Sequence, residues 1–248
     1  MIIPEATTAT LQLTPRDRSR YFFRTLANRI GRRETGEGFA MSDELREAGF
    51  AVEPFWEIIG ETEGETYRDY MKKFPDFELT VRQGVFDRLV VAAKSLPDNW
   101  QIVLKAGFRP LEVQQATLAA FVQKSRYDHP DWDEARHLAH ARTFVSDPEL
   151  VCPPHVTGGA IDIDVKDIKT GNYIDMGCPP NTDDPIAFLH SNLVTPEQHN
   201  NRMMLLDAML SAGFVPNPHE WWHYQYGETY WAAFYGESIT VYDVVMLG

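Results

Sequence analysis

The chain has 248 residues, 44% of them hydrophobic, so it can bury a full core as one large domain or as a domain plus an extension. Its formal charge of −13 argues against a surface that tracks phosphates, and nucleic acid is not an expected partner. Cys152 and Cys178 are too few for a disulfide framework and suit a reducing compartment.

In chain order, the opening segment Met1-Ile2-Ile3-Pro4-Glu5-Ala6 has no basic stretch followed by an apolar core, so no secretory signal is read there. No apolar run approaches the ~20 residues of a membrane span, and the expected location is the cytoplasm. Thr14-Pro15 offers an N-cap and a first-turn proline, Phe22, Leu26 and Ile30 recur four apart, and Gly31 closes this amphipathic helix. Residues 80–83 have the form of a capping box, after which Val81, Val85, Leu89 and Ala93 line one helical face until Pro97. A strand is expected over 101–106. Pro110 begins the next helix, with Leu111, Leu118, Phe121 and Val122 inward, so Arg109 sits at a strand-to-helix junction where a side chain can point into a cleft.

A further helix starts at 131–134 and runs to about Phe144. Residues 160–165 and 173–176 read as a hairpin joined by Lys169-Thr170-Gly171-Asn172. Thr195-Pro196-Glu197-Gln198 caps a helix that carries Met203, Leu206 and Leu210 and ends at Gly213. Residues 221–226 form the last strand. Helices set apart from a small, mainly antiparallel sheet define an α+β fold.

Two segments concentrate metal-binding chemistry: His155-Val156-Thr157-Gly158-Gly159-Ala160-Ile161-Asp162 and Glu220-Trp221-Trp222-His223. A hydrolytic zinc site takes three protein ligands from His and Asp/Glu, leaves a position for water and keeps a further carboxylate nearby as base. His155, His223 and an aspartate can be the ligands, with Glu220 as the base. Asp162 and Asp164 share one face of a strand, so either can reach a metal. In a regular strand Glu220 and His223 would face opposite ways, which places Glu220 at an irregular start or bulge, with regular pairing from near His223. Cys152 is read as an inert thiol, His137 and His140 as a solvated helix face, and Trp221 and Trp222 as core or cleft wall. His219 is read either as an outer group that orients a ligand or as a surface histidine.

The pattern HxxGxAxD (His155, Gly158, Ala160, Asp162), followed later by ExxH as EWWH, resembles the D-alanyl-D-alanine dipeptidases of the vancomycin-resistance type. Their clan of zinc peptidases includes D,D-carboxypeptidases, lysostaphin-type enzymes and the hedgehog signalling domain. Gly107-Phe108-Arg109-Pro110 is similar to the family's arginine segment and Met176-Gly177 to its MGTxFD segment, while the helix between Asn201 and Gly213 leads into EWWH as the family's does. The resemblance spans about residues 79–226. It implies a hedgehog/D,D-peptidase-like α+β fold and one zinc per chain on His155, Asp162 and His223, Asp162 holding the family's ligand position in place of Asp164. It also implies Glu220 as general base, Arg109 as the group that stabilises the oxyanion, and a small peptide as substrate. Residues 1–50 are then an unassigned N-terminal helical extension and residues 51–248 the catalytic domain, the whole read as one compact unit.

Two departures from the family bear on the substrate. Pro153 stands where the family's motif has a serine that helps hold substrate, and Asn181 where MGTxFD has the carboxylate that binds a dipeptide's ammonium. Asp183 and Asp184 lie just beyond and, with Asn181 and Trp222, form the expected substrate-binding set. The function expected is a zinc-dependent dipeptidase acting on a dipeptide of the D-alanyl-D-alanine type. The alternatives are a zinc D,D-carboxypeptidase or peptidoglycan-stem peptidase, against which the missing export signal speaks, and a non-catalytic zinc-stabilised binding module, against which Glu220 and Arg109 speak.

Overall fold

Apolar and β-branched runs build the centre of the molecule, for which the computed structural model describes residues 29–54, 79–182 and 184–245. The strands and helices are β1 (Phe39–Ala40), α1 (Ser42–Glu47), β2 (Ala51–Val52), β3 (Val81–Arg82), α2 (Gln83–Ala93), β4 (Trp100–Ala106), α3 (Leu111–Asp128), α4 (Glu134–Phe144), β5 (Ala160–Asp167), α5 (Pro196–Ser211), β6 (Val215–Asn217), β7 (Glu220–Gln225) and α6 (Thr229–Tyr235). Two 3-10 turns lie at Pro154–Thr157 and Pro185–Ala187. The main sheet runs β2-β4-β5-β7-β6, with β2 parallel to β4 and the other neighbours antiparallel, and β1 pairs separately with β3. The architecture is α+β with a mainly antiparallel sheet.

Alternation along β5 separates two faces. Ile161, Ile163 and Val165, in register with Tyr224, Leu104 and Ile102, enter one core with Val85 and Leu89 of α2 and Leu205 and Met209 of α5. Full burial of each aliphatic side chain contributes about 1.5–3 kcal/mol. Asp162, Asp164 and Lys166 alternate onto the opposite face, away from these helices. The register of β4 shifts between Leu104 and Ala106, next to the segment that leads to Arg109.

Several local expectations give way to long-range pairing. The capping box expected at 80–83 is not formed: β3 pairs with β1, Phe108 N–H donates to Thr80 O at 2.7 Å, and α2 begins after Arg82 without a side-chain cap. That ladder holds the segment extended. The second arm of the expected hairpin shrinks to a bridge between Lys166 and Tyr173, because Asp175 then turns to α5, where its carboxylate accepts from Gln198 Nε2 at 2.9 Å. On α3, Leu111, Leu118, Phe121 and Val122 are half-buried, while Val113, Gln114 and Ser125 are fully buried. This helix packs against α4, and His137, expected on a solvated face, is buried with Nδ1 3.0 Å from Ser125 Oγ. The capping box of α5 does form: Thr195 Oγ1 accepts from Gln198 N–H at 3.2 Å and Gln198 Oε1 from Thr195 N–H at 2.8 Å.

The helix expected over 14–31 lies almost wholly outside the described residues. Gly31 bridges in parallel to Ile239, Arg33 N–H donates to Thr240 Oγ1 at 3.0 Å, and β1 and β2 join the two sheets. Among the described residues no helix is long and apolar enough to cross a membrane.

Candidate metal centre

His155 sits on the Pro154–Thr157 turn, where Pro154 fixes the first φ and Gly158, at φ +72°, closes the turn in a left-handed conformation that disfavours side chains. Gly159 permits a close approach, since a Cβ there would lie 2.4 Å from Tyr226 O. Asp162 and His223 are cross-strand partners on β5 and β7, so sheet register alone brings them together. One donor atom from each of His155, Asp162 and His223 lies within 4.8 Å of the others, and all three residues are buried.

The imidazoles are oriented by hydrogen bonds. His155 Nδ1 lies 2.8 Å from Gly107 O, which orients the ring, and its Nε2 lies 3.3 Å from Asp162 Oδ2. His223 Nδ1 lies 2.9 Å from Asp162 Oδ1, and its Nε2 3.4 Å from Gln225 Oε1. Zinc-to-ligand distances of about 2.0–2.2 Å put tetrahedral donors roughly 3.3–3.5 Å apart, and the three donor atoms lie within 4.8 Å of one another. A borderline-soft cation with two nitrogens and one carboxylate oxygen fits these residues.

Electrostatics agree with that fit. Burial holds the His155 imidazole below its usual range against the pull of Asp162. Burial alone would raise the Asp162 carboxyl, but the charges and hydrogen bonds of His155 and His223 hold it well below the usual carboxylate range. Burial also opposes charge on His223, yet the Asp162 hydrogen bond and charge lift it to about 9. Without metal, a proton on His223 answers the site's demand for a positive charge.

Glu220 stands where β6 and β7 lose register: Asn217 pairs with Glu220, while Pro216 already pairs with Tyr224. Pairing of β7 with β5 begins at His223. Glu220 Oε2 accepts from Asn217 Nδ2 at 2.7 Å and lies 3.8 Å from His223 Nδ1, so the bulge turns this carboxylate toward the same space as the imidazole. Arg109 is tied to the site through its backbone, its N–H donating to His155 O at 3.0 Å. Its Nη1 donates to Gln114 Oε1 at 3.0 Å, and among the described residues it makes no ion pair.

The remaining candidates are distributed differently. Asp164 shares the face of Asp162 but stays outside the ligand group; its Oδ1 accepts from Val165 N–H at 2.8 Å, and burial pushes its carboxyl up to about 6. Trp222 is buried in the core, edge-on to Trp221 with ring centroids 5.8 Å apart. Asn181 is exposed at φ +68°, and Asp184 is exposed and caps the second 3-10 turn by accepting from Ile186 N–H at 2.9 Å. Asp183 lies outside the described residues. His219 packs edge-on against Phe188, and burial pushes the Cys152 thiol up to about 11, as an inert thiol requires. Gln225, two residues from His223 on one strand, was open to the alternation rule, whereas the roles of Gly107 O, Asn217 and Gln114 depend on folding.

An α+β chain that sets two histidines and an aspartate around one point, with a glutamate alongside, has the constellation of a metal-dependent hydrolase. Residues 81–241 match the profile of the peptidase M15 family, described as D-Ala-D-Ala dipeptidase, and the chain belongs to that family of metallopeptidases. A D-alanyl-D-alanine dipeptidase of Synechocystis is 32% identical over 200 residues, covering 68% of this chain and 76% of the relative. Another from Escherichia coli is 34% identical over 71 residues, covering 29% of this chain and 36% of that protein. Among solved structures, VanYB in complex with D-alanine-D-alanine aligns at 18% identity and a TM-score of 0.39, covering 64% of this chain and 80% of its own. A vancomycin-resistance D,D-pentapeptidase VanY in complex with Zn(II) aligns at 20% identity and 0.38, covering 64% and 81%.

Proposed function

We propose that this protein is a zinc-dependent dipeptidase that hydrolyses a small dipeptide of the D-alanyl-D-alanine type. The observation that carries the reading is the convergence of His155, Asp162 and His223 within 4.8 Å, with the Glu220 carboxylate 3.8 Å from the His223 ring. His155 through Nε2, Asp162 through its carboxylate and His223 through Nδ1 would hold one zinc per chain. When bound, zinc lowers the pKa of a coordinated water to about 7 and polarises a carbonyl. Glu220 takes the proton from the attacking water and returns it to the leaving amine. The Arg109 guanidinium stabilises the charge that develops on the scissile carbonyl oxygen.

The substrate's ammonium needs an anionic partner once it is desolvated in a closed cleft. We assign that task to Asp183 or Asp184, with Asn181 in the same loop. The exposure of Asn181 and Asp184 favours a second reading, a D,D-carboxypeptidase that accepts longer peptides. Both readings place the enzyme in cell-wall metabolism. A cytoplasmic setting is part of the proposal and agrees with the free thiols of Cys152 and Cys178.

A panel of D,D-, L,D- and L,L-dipeptides and their N-acetylated forms, assayed on zinc-loaded protein, tests this reading. Preference for free D,D-dipeptides, with a steep fall in kcat/KM on acetylation, is the expected result. Equal cleavage of acetylated and free substrates would transfer the assignment to the carboxypeptidase, and no cleavage at all would leave the binding module.

A further inference from the structure

Arg82 is 3% exposed and takes no part in the chemistry above. A buried guanidinium is costly unless its donors find partners, so the destinations of its N–H groups are informative. Nε donates to Thr157 O at 2.8 Å, Nη1 to Glu37 O at 2.8 Å and Nη2 to Glu34 Oε2 at 2.7 Å. The rings of Phe39 and Tyr242 lie 4.7 and 5.0 Å from its Cζ, and the Tyr242 hydroxyl donates to Glu37 Oε2. Segments far apart in sequence thus converge on one side chain, which then reaches the turn that carries His155.

That turn has its own hydrogen bonds, Gly158 N–H to His155 O at 3.1 Å and Thr157 Oγ1 to Pro154 O at 2.7 Å, and each of its carbonyls from His155 to Gly158 is also held from outside it. His155 O accepts from Arg109 N–H at 3.0 Å, Val156 O from Val245 N–H at 3.0 Å, Thr157 O from Arg82 Nε at 2.8 Å and Gly158 O from Arg82 N–H at 3.4 Å. A single 3-10 turn has poor internal hydrogen-bond geometry, so a ligand placed on one depends on such external fixing. Gly158 lets the clamp close, since a Cβ there would meet Phe39 Cε1 at 2.7 Å and Arg82 Cγ at 3.1 Å.

We infer that Arg82 is a positioning residue for His155, and that residues 34–39 and Tyr242 act through it as outer parts of the metal centre. The inference rests on the reading of His155 as a zinc ligand. It gives the segment before β1 a task in the site. A purely structural brace would lower the melting temperature and leave the metal affinity of the folded protein unchanged.

The test compares Arg82→Met, Arg82→Lys and Glu34→Gln with the wild type and with His155→Ala, each confirmed folded by circular dichroism. Zinc dissociation constants come from chelator competition, and the ligand geometry from the visible absorption of the Co(II)-loaded protein. Arg82→Met should weaken zinc by about 10–100-fold and alter the cobalt bands. Arg82→Lys should recover part of the loss, since an ammonium keeps the charge but not the forked geometry. Glu34→Gln should weaken zinc a few-fold. Wild-type zinc affinity and cobalt spectrum in Arg82→Met overturn the inference; if that variant does not fold, the same result in Glu34→Gln does so, because the Glu34 side chain is 38% exposed and its loss is tolerable. Retention of zinc by His155→Ala would instead overturn the reading of the metal centre.

Discussion

Two polar clusters occupy one face of the main sheet and balance their charges in opposite ways. Around Glu53, the carboxylate pairs with Lys105 at 3.2 Å and with Lys166, and accepts from the Tyr173 hydroxyl, while Lys105 also reaches that hydroxyl at 2.5 Å. Burial would raise the Glu53 carboxyl, but these donors hold it down to about 2. Around Asp162, two imidazoles face one carboxylate, with a second carboxylate on Glu220 close by. The first cluster has enough N–H and O–H donors to neutralise itself and acts as a brace. The second sets donor atoms of two imidazoles and a carboxylate within 4.8 Å of one another, a group that could hold a cation. That convergence, more than polarity or burial, separates a binding site from a brace here.

The largest expected effect breaks this contrast on the ligand side. His155→Ala, Asp162→Ala and His223→Ala should each lose the single zinc and all measurable turnover, because a three-ligand site does not tolerate a deletion. Glu53→Gln and Lys105→Met should keep about one zinc per chain by elemental analysis. Metal loss in the second pair with retention in the first would invert the assignment.

Next come variants that keep the metal and change the chemistry. Glu220→Gln should retain zinc and lose about 10²–10⁴ in kcat, since an amide preserves shape and cannot accept the proton. Arg109→Ala should retain zinc and lose about 10²–10³ in kcat. Steady-state kinetics on zinc-saturated protein checks both, and wild-type rates from either would remove that residue from the mechanism.

Stability provides a smaller and sharper comparison. Free zinc at 1,000 times its dissociation constant should stabilise the fold by about 4 kcal/mol. The gain should appear in the wild type and in Glu53→Gln but not in Asp162→Ala, as read by thermal melts with zinc or with chelator. Scarcely any zinc-dependent shift in the wild type would contradict a site that recruits a cation.

The smallest effect concerns the brace. Lys105 is 3% exposed, so Glu53→Gln leaves a buried ammonium without its carboxylate and should cost about 1–3 kcal/mol at neutral pH. Because the folded-state pKa of Glu53 is depressed, its contribution is present above the ordinary value of 4.5 and fades as pH falls toward about 2. Denaturant unfolding of wild type and variant should therefore converge across that window. A constant difference down to pH 2 would mean that the carboxylate's charge contributes nothing.

The donor set of the site was legible because His155, Asp162, Glu220 and His223 are chemically specific residues at specific spacings, and the strand alternation of β5 places Asp162 on a defined face. Alternation treats Asp162 and Asp164 alike; sheet register sets them apart, with Asp162 opposite His223. The irregular position of Glu220 could be inferred from the conflict between a three-residue spacing and a two-residue period, and the shift opposite Pro216 and Asn217 is where that conflict is relieved. The capping box at Thr80 was misleading because Phe39–Ala40, more than 35 residues away, claims the backbone of Val81 and Arg82.

The sequence by itself determined the α+β alternation, the capping box of α5, and the residue types able to hold a metal. Those features depend on separations of a few residues, over which backbone geometry is nearly fixed. Only the tertiary structure decided that Gly107 O orients His155, that His137 is buried against Ser125, that Asn181 and Asp184 stand exposed, and that Arg82 ties both flanking segments to the ligand turn. Each of these depends on a contact between residues distant in the chain, and the side chain involved has no local property that names its partner.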